Sequence, residues 1–441
     1  MKKHNTKMNQ DTAVRTPLID FTHDPDARSW VDSANDAGTD FPLQNLPYGA
    51  FFTEQDPLPR LGVAIGDQVL DLRRALSALT QLPDELGGES LNAFMALTRQ
   101  EHKRARQVLF RSLQEGSSEQ AVLQSCLLPQ SELQMVLPCD VRNYTDFLTG
   151  IYHAQTCGQL VGRPLGDNFK SLPIAYHGRA SSVVISGTPV RRPMGQHLDS
   201  DGTVVFRPTR QLDYELELGV LIGPGNKLSE PIPVGRAADH WFGLVLLNDW
   251  SARDVQRWEA QPLGPFLAKN FATSISSWVV TQDALAPFRS SLRAGGADKA
   301  EQLPYLRAAD DASYAIQLEV WLQGRSMPSP YRVTANRFDE TSYWTIAQMI
   351  AHHTVGGCNL LTGDLLGTGT QSGPGVEEGG CLLELTQAGR KSVLLNNGEN
   401  RMFLEDGDCV SLRAFCQGGG FRRIGFGHCV AQVLPALVSS D

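Results

Sequence analysis

From residue 133 onward the chain is written in short apolar runs interrupted by Gly, Pro and Asn. The runs are SSVVISGTPV (181–190), ELELGVLIG (215–223), FGLVLL (242–247), SSWVVT (276–281), YAIQLEVWL (314–322), CLLELT (381–386), DCVSLRAF (408–415) and HCVAQVL (428–434). Runs of this length, rich in β-branched residues and bounded by turn formers, predict strands. This region, 136–441, therefore reads as one large, mostly β domain whose clearest helix is Trp344 to His352. Before it, RLGVAIGDQVLDL places two β-type runs around Gly66-Asp67, a hairpin turn signal. Helices are predicted over Ser90–Leu97 and Glu101–Leu113, the second opened by a Thr98/Glu101 capping box. Residues 41–135 thus form a smaller β-rich module with helices, and the polar, aperiodic stretch 1–40 reads as a flexible or draped arm.

At 441 residues, 41% apolar and 20% charged, the chain can bury a large core, which excludes a disordered or fibrous protein. A net charge of -9 without a basic, aromatic-interleaved block argues against nucleic-acid binding. No apolar run approaches the roughly 18 residues of a membrane span, and the Lys-rich start lacks a signal peptide's apolar stretch, so a cytoplasmic location is expected. The eight cysteines form no CxxC pair and mostly sit beside apolar neighbours, which argues against a zinc site or a disulfide framework. Cys157, four residues after His153, reads as packing and not as a nucleophile.

Chemistry gathers around FGLVLLNDWSARDVQRWEAQPLGPFLAKNF (242–271). A buried strand delivers Asp249 to its mouth, and Ser251 with Asp254 reads as a capping box that opens a helix carrying Arg253 and Gln256 on one face. The prolines of PLGPF break that helix, and Lys269 follows on an apparent return strand. In LDYELEL (212–218), Asp213, Glu215 and Glu217 alternate with apolar residues, so Glu215 and Glu217 share a strand face. A wet acidic face is one reading. The apolar continuation GVLIG favours burial, where neighbouring carboxylates repel unless a cation lies between them. With Asp146 from NYTDF and Asp249, they would form an all-oxygen site suited to Ca²⁺ or Mg²⁺ and ill suited to zinc. His153 needs an orienting acid to be a strong base, and Glu384, in the predicted strand CLLELT, is a candidate. The dense glycine loop 367–380 lets backbone approach a ligand closely, although a plain surface turn is equally compatible with it.

These segments resemble the fumarylacetoacetate hydrolase family. The resemblance runs from about residue 41 to the end and rests on DFPLQNLPYG, YTDF with the later His, YHGRASSVVISGTPVRRPMGQ, LDYELELG, NDWSARDVQRWE, PLGPFLAK, GCNL, GDLLGTGTQSGP, LLEL and FRRIGFGHC. It implies a small N-terminal β-barrel domain, a C-terminal mixed β-roll domain and a homodimer. It also implies metal-dependent hydrolysis of a carbon–carbon bond in a small diketo acid, fumarylacetoacetate being the leading substrate. By resemblance, Asp146, Glu215, Glu217 and Asp249 hold Ca²⁺, while Lys269 and Thr273 match positions serving a Mg²⁺. His153 and Glu384 match the water-activating pair. Arg253, Gln256 and Lys269 match groups around the oxyanion and leaving group, and Arg163, Tyr176, Gln256 and Thr370 match substrate contacts. Leu148 and Ala260 stand where the family carries substrate-contacting tyrosines, and the segment between His153 and Tyr176 is shorter than in the family. A decarboxylase, isomerase or acylpyruvate hydrolase on the same scaffold would share the metal, and a silent β-rich binding protein would lack it.

Overall fold

Nine consecutive buried residues, Trp241–Asp249, form the strand on which the larger part of the fold is laid. In the computed structural model, which describes residues 18–160, 162, 165–294, 301–309 and 312–437, the chain is mainly β. The strand Trp241–Asp249 pairs antiparallel with Leu216–Ile222 on one side and with Thr273–Ile275 on the other. The sheet continues outward through Leu365–Gly367, then Tyr144–Phe147 in parallel, then Ala175–Gly178. At its opposite end lies Val183–Ile185. Burial on both faces explains the unbroken apolar runs here, where alternation would mark a one-sided sheet.

A second, five-stranded sheet runs in the order Tyr331–Arg337, Ile316–Gln323, Cys409–Gly418, Phe421–Leu434 and Val190–Arg191. Its inward side chains, among them Leu318, Val320, Leu412 and Phe426, join Leu218, Val220, Leu244 and Leu246 of the central sheet in one core. Fully burying each such apolar side chain is worth about 1.5–3 kcal/mol. Residues 48–136 make a further five-stranded antiparallel sheet, in which the expected hairpin pairs Arg60–Ile65 with Gln68–Asp71 across Gly66 in the left-handed region. Its core is continuous with the central sheet through Leu221, Phe242, Val245 and Leu365. The helix Arg99–Leu113 begins with the predicted Thr98/Glu101 capping box, and Ile346–Thr354 begins with a Thr345/Gln348 box.

Several local expectations are corrected by long-range partners. Of the two readings of the arm, residues 18–40 take the draped one and not the flexible one, with His23 and Ser29 buried and the buried Arg106 reaching the Thr22 hydroxyl; residues 1–17 lie outside the described residues. CLLELT is a short helix, Leu382–Leu385, and not a strand, because the Leu382 and Leu383 amides donate to the Asp213 carboxylate at 2.7 and 2.9 Å. Ser251 caps nothing. It lies in a two-residue strand paired with Leu212–Asp213, while Asp254 accepts from the Thr209 hydroxyl and the Arg210 amide. Lys269 sits in the turn before the return strand, which begins only at Thr273. Among the described residues no helix is long and apolar enough to cross a membrane.

Candidate active site

Three elements of the central sheet aim carboxylates at one point. Asp146 comes from Tyr144–Phe147, Glu217 from Leu216–Ile222 with Glu215 just before it, and Asp249 from the end of Trp241–Asp249. Between the first two runs Leu365–Gly367, where Gly367 faces Asp146. A Cβ on Gly367 would lie 2.3 Å from Asp146 Oδ1 and 3.0 Å from Glu217 Oε2, so only glycine lets the two carboxylates meet across this strand. Gly369, at φ +74°, then turns its amide toward both, donating to Glu217 Oε2 at 2.9 Å and Asp146 Oδ1 at 3.2 Å. The first half of the glycine-rich loop, 367–373, is thus buried, while Pro374 to Glu377 form an exposed turn.

Oxygen atoms of Asp146, Glu215, Glu217 and Asp249 all lie within 4.8 Å of one another, and all four residues are buried. The cations facing them are Lys269 and Arg253. Lys269 Nζ donates to Glu215 Oε2 and Asp249 Oδ2, each at 2.6 Å. Arg253 Nη1 is 2.7 Å from Glu215 Oε1, while its Nε donates to Asp213 at 2.9 Å. Burial works to raise the Glu215 carboxyl, but Lys269 and Arg253 overcome it and hold it well below the usual range. For Asp146 and Glu217 the pull of Lys269 is outweighed: burial, then the neighbouring carboxylates, push both well above it. Glu217 Oε1 is moreover buried with no hydrogen-bond partner. Two cations against four carboxylates, one carboxylate oxygen orphaned and an all-oxygen donor set are what a hard divalent cation would satisfy. The residues therefore fit such an ion.

Around this cluster, Tyr176 Oη donates to Asp249 Oδ2 at 2.7 Å and Thr273 Oγ1 to Asp249 Oδ1 at 3.3 Å. Gln256, one helical turn after Arg253, accepts from Arg253 Nη1 at 3.1 Å. Thr370 is buried in the glycine loop, its carbonyl against Gly150 at the start of the helix Ile151–Leu160. That helix carries His153, whose Nδ1 lies 2.9 Å from Glu384 Oε2. In the neutral ring this pairing places the Nδ1 proton on the Glu384 side and leaves Nε2 as the acceptor. Burial alone would lower His153, yet the Glu384 carboxylate more than offsets it and pushes the imidazole up to about 10. Leu148 packs beside Ile151, Ala154 and Phe169, and Ala260 closes the helix Arg253–Glu259. Arg163 lies outside the described residues.

Two side chains that the sequence reading passed over hold the parts together. Asp213, fully buried, accepts from Arg253 and from the two amides that start the Glu384 helix, and so ties the carboxylate cluster to the His153–Glu384 pair. Its place in the acidic alternation of LDYELEL was the available signal, but the strand breaks at Tyr214–Glu215 and sends Asp213 elsewhere. Ser372 Oγ donates to Glu384 Oε2 at 2.7 Å, and only its membership of the glycine loop marked it.

Known proteins share this arrangement of segments. Residues 44–138 match the family model described as Fumarylacetoacetase N-terminal, and residues 138–434 that described as Fumarylacetoacetate (FAA) hydrolase C-terminal. The chain is 46% identical over 426 residues to the fumarylacetoacetase of Bos taurus, covering 93% of this chain and 99% of that one. It is 45% identical over 425 residues to that of Homo sapiens, covering 93% and 100%. Among solved structures, a fumarylacetoacetate hydrolase from Exiguobacterium antarcticum aligns with a TM-score of 0.50 at 16% identity, over 88% of this chain and 99% of that one, a likeness of fold. With both of its parts matched in order along almost the whole chain, the protein belongs to the fumarylacetoacetate hydrolase family.

Proposed function

We propose that this chain is a hydrolase that adds water across a carbon–carbon bond of 4-fumarylacetoacetate, releasing fumarate and acetoacetate, the closing step of tyrosine and phenylalanine breakdown. The observation that carries this reading is one hydrogen-bonded unit in which Asp213 and Arg253 join a four-carboxylate cluster to a His–Glu pair. The cluster suits Ca²⁺ or Mg²⁺. Asp146, Glu215, Glu217 and Asp249 would hold it, with the Thr273 hydroxyl close by. Lys269 Nζ is disfavoured by burial but held charged by Asp249 and Glu215, so any ligation by Lys269 falls to its main-chain carbonyl. A hard divalent cation there supplies positive charge that stabilises negative charge developing on the substrate's keto oxygens and opposes protonation of His153.

His153 Nε2 takes a proton from water as its oxygen attacks the carbonyl next to the fumaroyl arm, and Glu384, through Nδ1, holds the ring and stabilises the imidazolium. Arg253, Gln256 and Lys269 face the resulting alkoxide; one well-placed donor is worth about 3–4 kcal/mol. When the alkoxide collapses, the carbon–carbon electron pair leaves with acetoacetate, whose carbanion takes up the proton that His153 removed from water, which restores the neutral imidazole. Tyr176 and Thr370, with Arg163, are assigned to substrate binding. The need for attacking water, met by His153–Glu384, favours hydrolysis over decarboxylation or isomerisation on the same scaffold.

A small N-terminal barrel (41–135), a C-terminal roll (136–441) and a cytoplasmic homodimer complete the reading. In support of a partner copy, the loop after the Arg253 helix exposes Leu263 at 97% and Phe266 at 67%. The test is the absorbance decay of fumarylacetoacetate on adding the purified protein. Rapid loss to fumarate and acetoacetate, abolished by chelator and restored by Ca²⁺ or Mg²⁺, is expected. Persistence of the substrate with metal bound would move the activity to another keto acid, with Leu148 and Ala260 as the altered walls.

Glu384→Gln separates orientation from charge. Because the carboxylate favours the imidazolium, its neutralisation lowers the His153 pKa, so the acidic limb of the kcat/KM–pH profile moves to lower pH. Weakening the base also lowers the plateau, by about 100-fold. A limb that stays in place would remove Glu384 from the pairing role.

A further inference from the structure

The helix Ile151–Leu160 carries a second functional side chain on the face that bears His153. Cys157 is one turn on, and its Sγ lies 3.6 Å from His153 Nδ1 and 3.7 Å from Nε2. Opposite, the short helix Leu382–Leu385 presents Glu384 and, from its N-cap, Cys381, whose Sγ is 3.2 Å from Glu384 Oε2. One ligand atom each from His153, Cys157, Cys381 and Glu384 lies within 4.8 Å of the other three. All eight cysteines are free thiols, so neither sulfur is committed to a disulfide. The His-x₃-Cys and Cys-x₂-Glu spacings belong to separate helices about 230 residues apart, 231 between His153 and Glu384, which is why no motif marked them.

We propose that these four side chains form a binding site for a thiophilic divalent cation, Zn²⁺, whose occupation switches the enzyme off. The donor set is two sulfurs, one imidazole nitrogen and one carboxylate oxygen, the composition zinc prefers and calcium and magnesium avoid. With Zn–S about 2.3 Å and Zn–N or Zn–O about 2.0–2.2 Å, a tetrahedral site has edges of roughly 3.3–3.8 Å. With Nδ1 as the imidazole donor, its separations of 2.9 Å from Glu384 Oε2 and 3.6 Å from Cys157 Sγ, and the 3.2 Å between Cys381 Sγ and Glu384 Oε2, lie within about 0.5 Å of those edges; the other pairs lie within 4.8 Å, so side-chain rotations would seat the ion. Cys157 is partly exposed and gives a way in, whereas Cys381, Glu384 and His153 are buried. An ion here takes the His153 lone pair and the Glu384 carboxylate, both of which the hydrolytic step requires. It does so beside a four-carboxylate cluster that would keep its own hard cation, so inhibition needs no exchange there. The inhibitory half rests on the assignment of His153 as base; the binding half does not.

The test uses the full chain saturated with Ca²⁺, with thiols kept reduced by a phosphine. Cobalt(II) is added as a spectroscopic stand-in for zinc, and zinc is titrated against turnover in parallel. The expected result is a thiolate-to-cobalt charge-transfer band in the near ultraviolet, and loss of turnover as zinc is added. Cys157→Val retains turnover, loses the band and raises the half-inhibitory zinc concentration by about tenfold or more. Absence of the band in the native protein, or zinc inhibition unchanged in Cys157→Val, overturns the site. A full thiolate band with undiminished turnover overturns the inhibitory role and, separately, the assignment of His153 as the base.

Discussion

A His153→Ala variant is expected to lose about 10²- to 10⁴-fold in kcat, the usual contribution of a positioned general base, with KM little changed. The expectation follows from how few groups could replace the imidazole. Among the described residues facing the carboxylate cluster, Lys269 and Arg253 are held charged by their carboxylate partners and cannot accept a proton, and Tyr176 is raised well above its ordinary range by burial and Asp249. Glu384 keeps its charge by pairing with His153 and Ser372, and it lies behind the imidazole. Steady-state assays with a thermal melt as folding control check this, since His153 is 7% exposed and its removal also leaves a small void. Near-normal turnover in a folded His153→Ala protein would sink the water-activation step.

The second large effect is expected at Glu217. In Glu217→Gln, affinity for the divalent cation falls by at least about 100-fold, more than outer-shell substitutions typically cost, and kcat/KM at limiting metal falls with it. Its stability should change in a less ordinary way. Glu217 is buried, stands among Asp146, Asp249 and Glu215, and leaves Oε1 without a partner. Without the ion this charge works against the fold, so in chelator the Gln protein should melt at or above the unsubstituted one. With excess cation the order reverses, because binding at about 100 times Kd adds roughly 2.7 kcal/mol to a protein that binds and little to one that does not. Elemental analysis and melts with and without chelator report both halves. A Gln variant that melts lower under both conditions, with its metal intact, would show that Glu217 is structural.

The carboxylates were legible because strand periodicity and burial are local. LDYELEL runs into GVLIG, and a sequence that apolar cannot leave its acids in water, so Glu215 and Glu217 declared themselves without any knowledge of their neighbours. Asp249 was visible in the same way, at the end of a run buried on both faces. The misread elements are those decided from afar. CLLELT has the composition of a strand and becomes a helical turn because a carboxylate 169 and 170 residues upstream satisfies its first amides. Ser251 and Asp254 have the spacing of a cap, but strand pairing takes one and Thr209 takes the other. Lys269 was placed on the wrong element yet in the right company, because a buried ammonium between two buried carboxylates is reached as readily from a turn as from a strand.

The glycine loop also sets the order in which the protein can be built. Gly369 meets Asp146 across 223 residues of chain and Glu217 across 152, so the amide that quiets these two carboxylates leaves the ribosome long after they do. Until residues 365–384 arrive, the strands bearing Asp146 and Glu217 have no strand between them, Asp213 has no helix to start and His153 has no acid. The candidate site is therefore among the last parts to be assembled during synthesis. A chain stopped short of residue 365 carries its acids as a liability, and such fragments become clients of chaperones and proteases, not partly active enzymes.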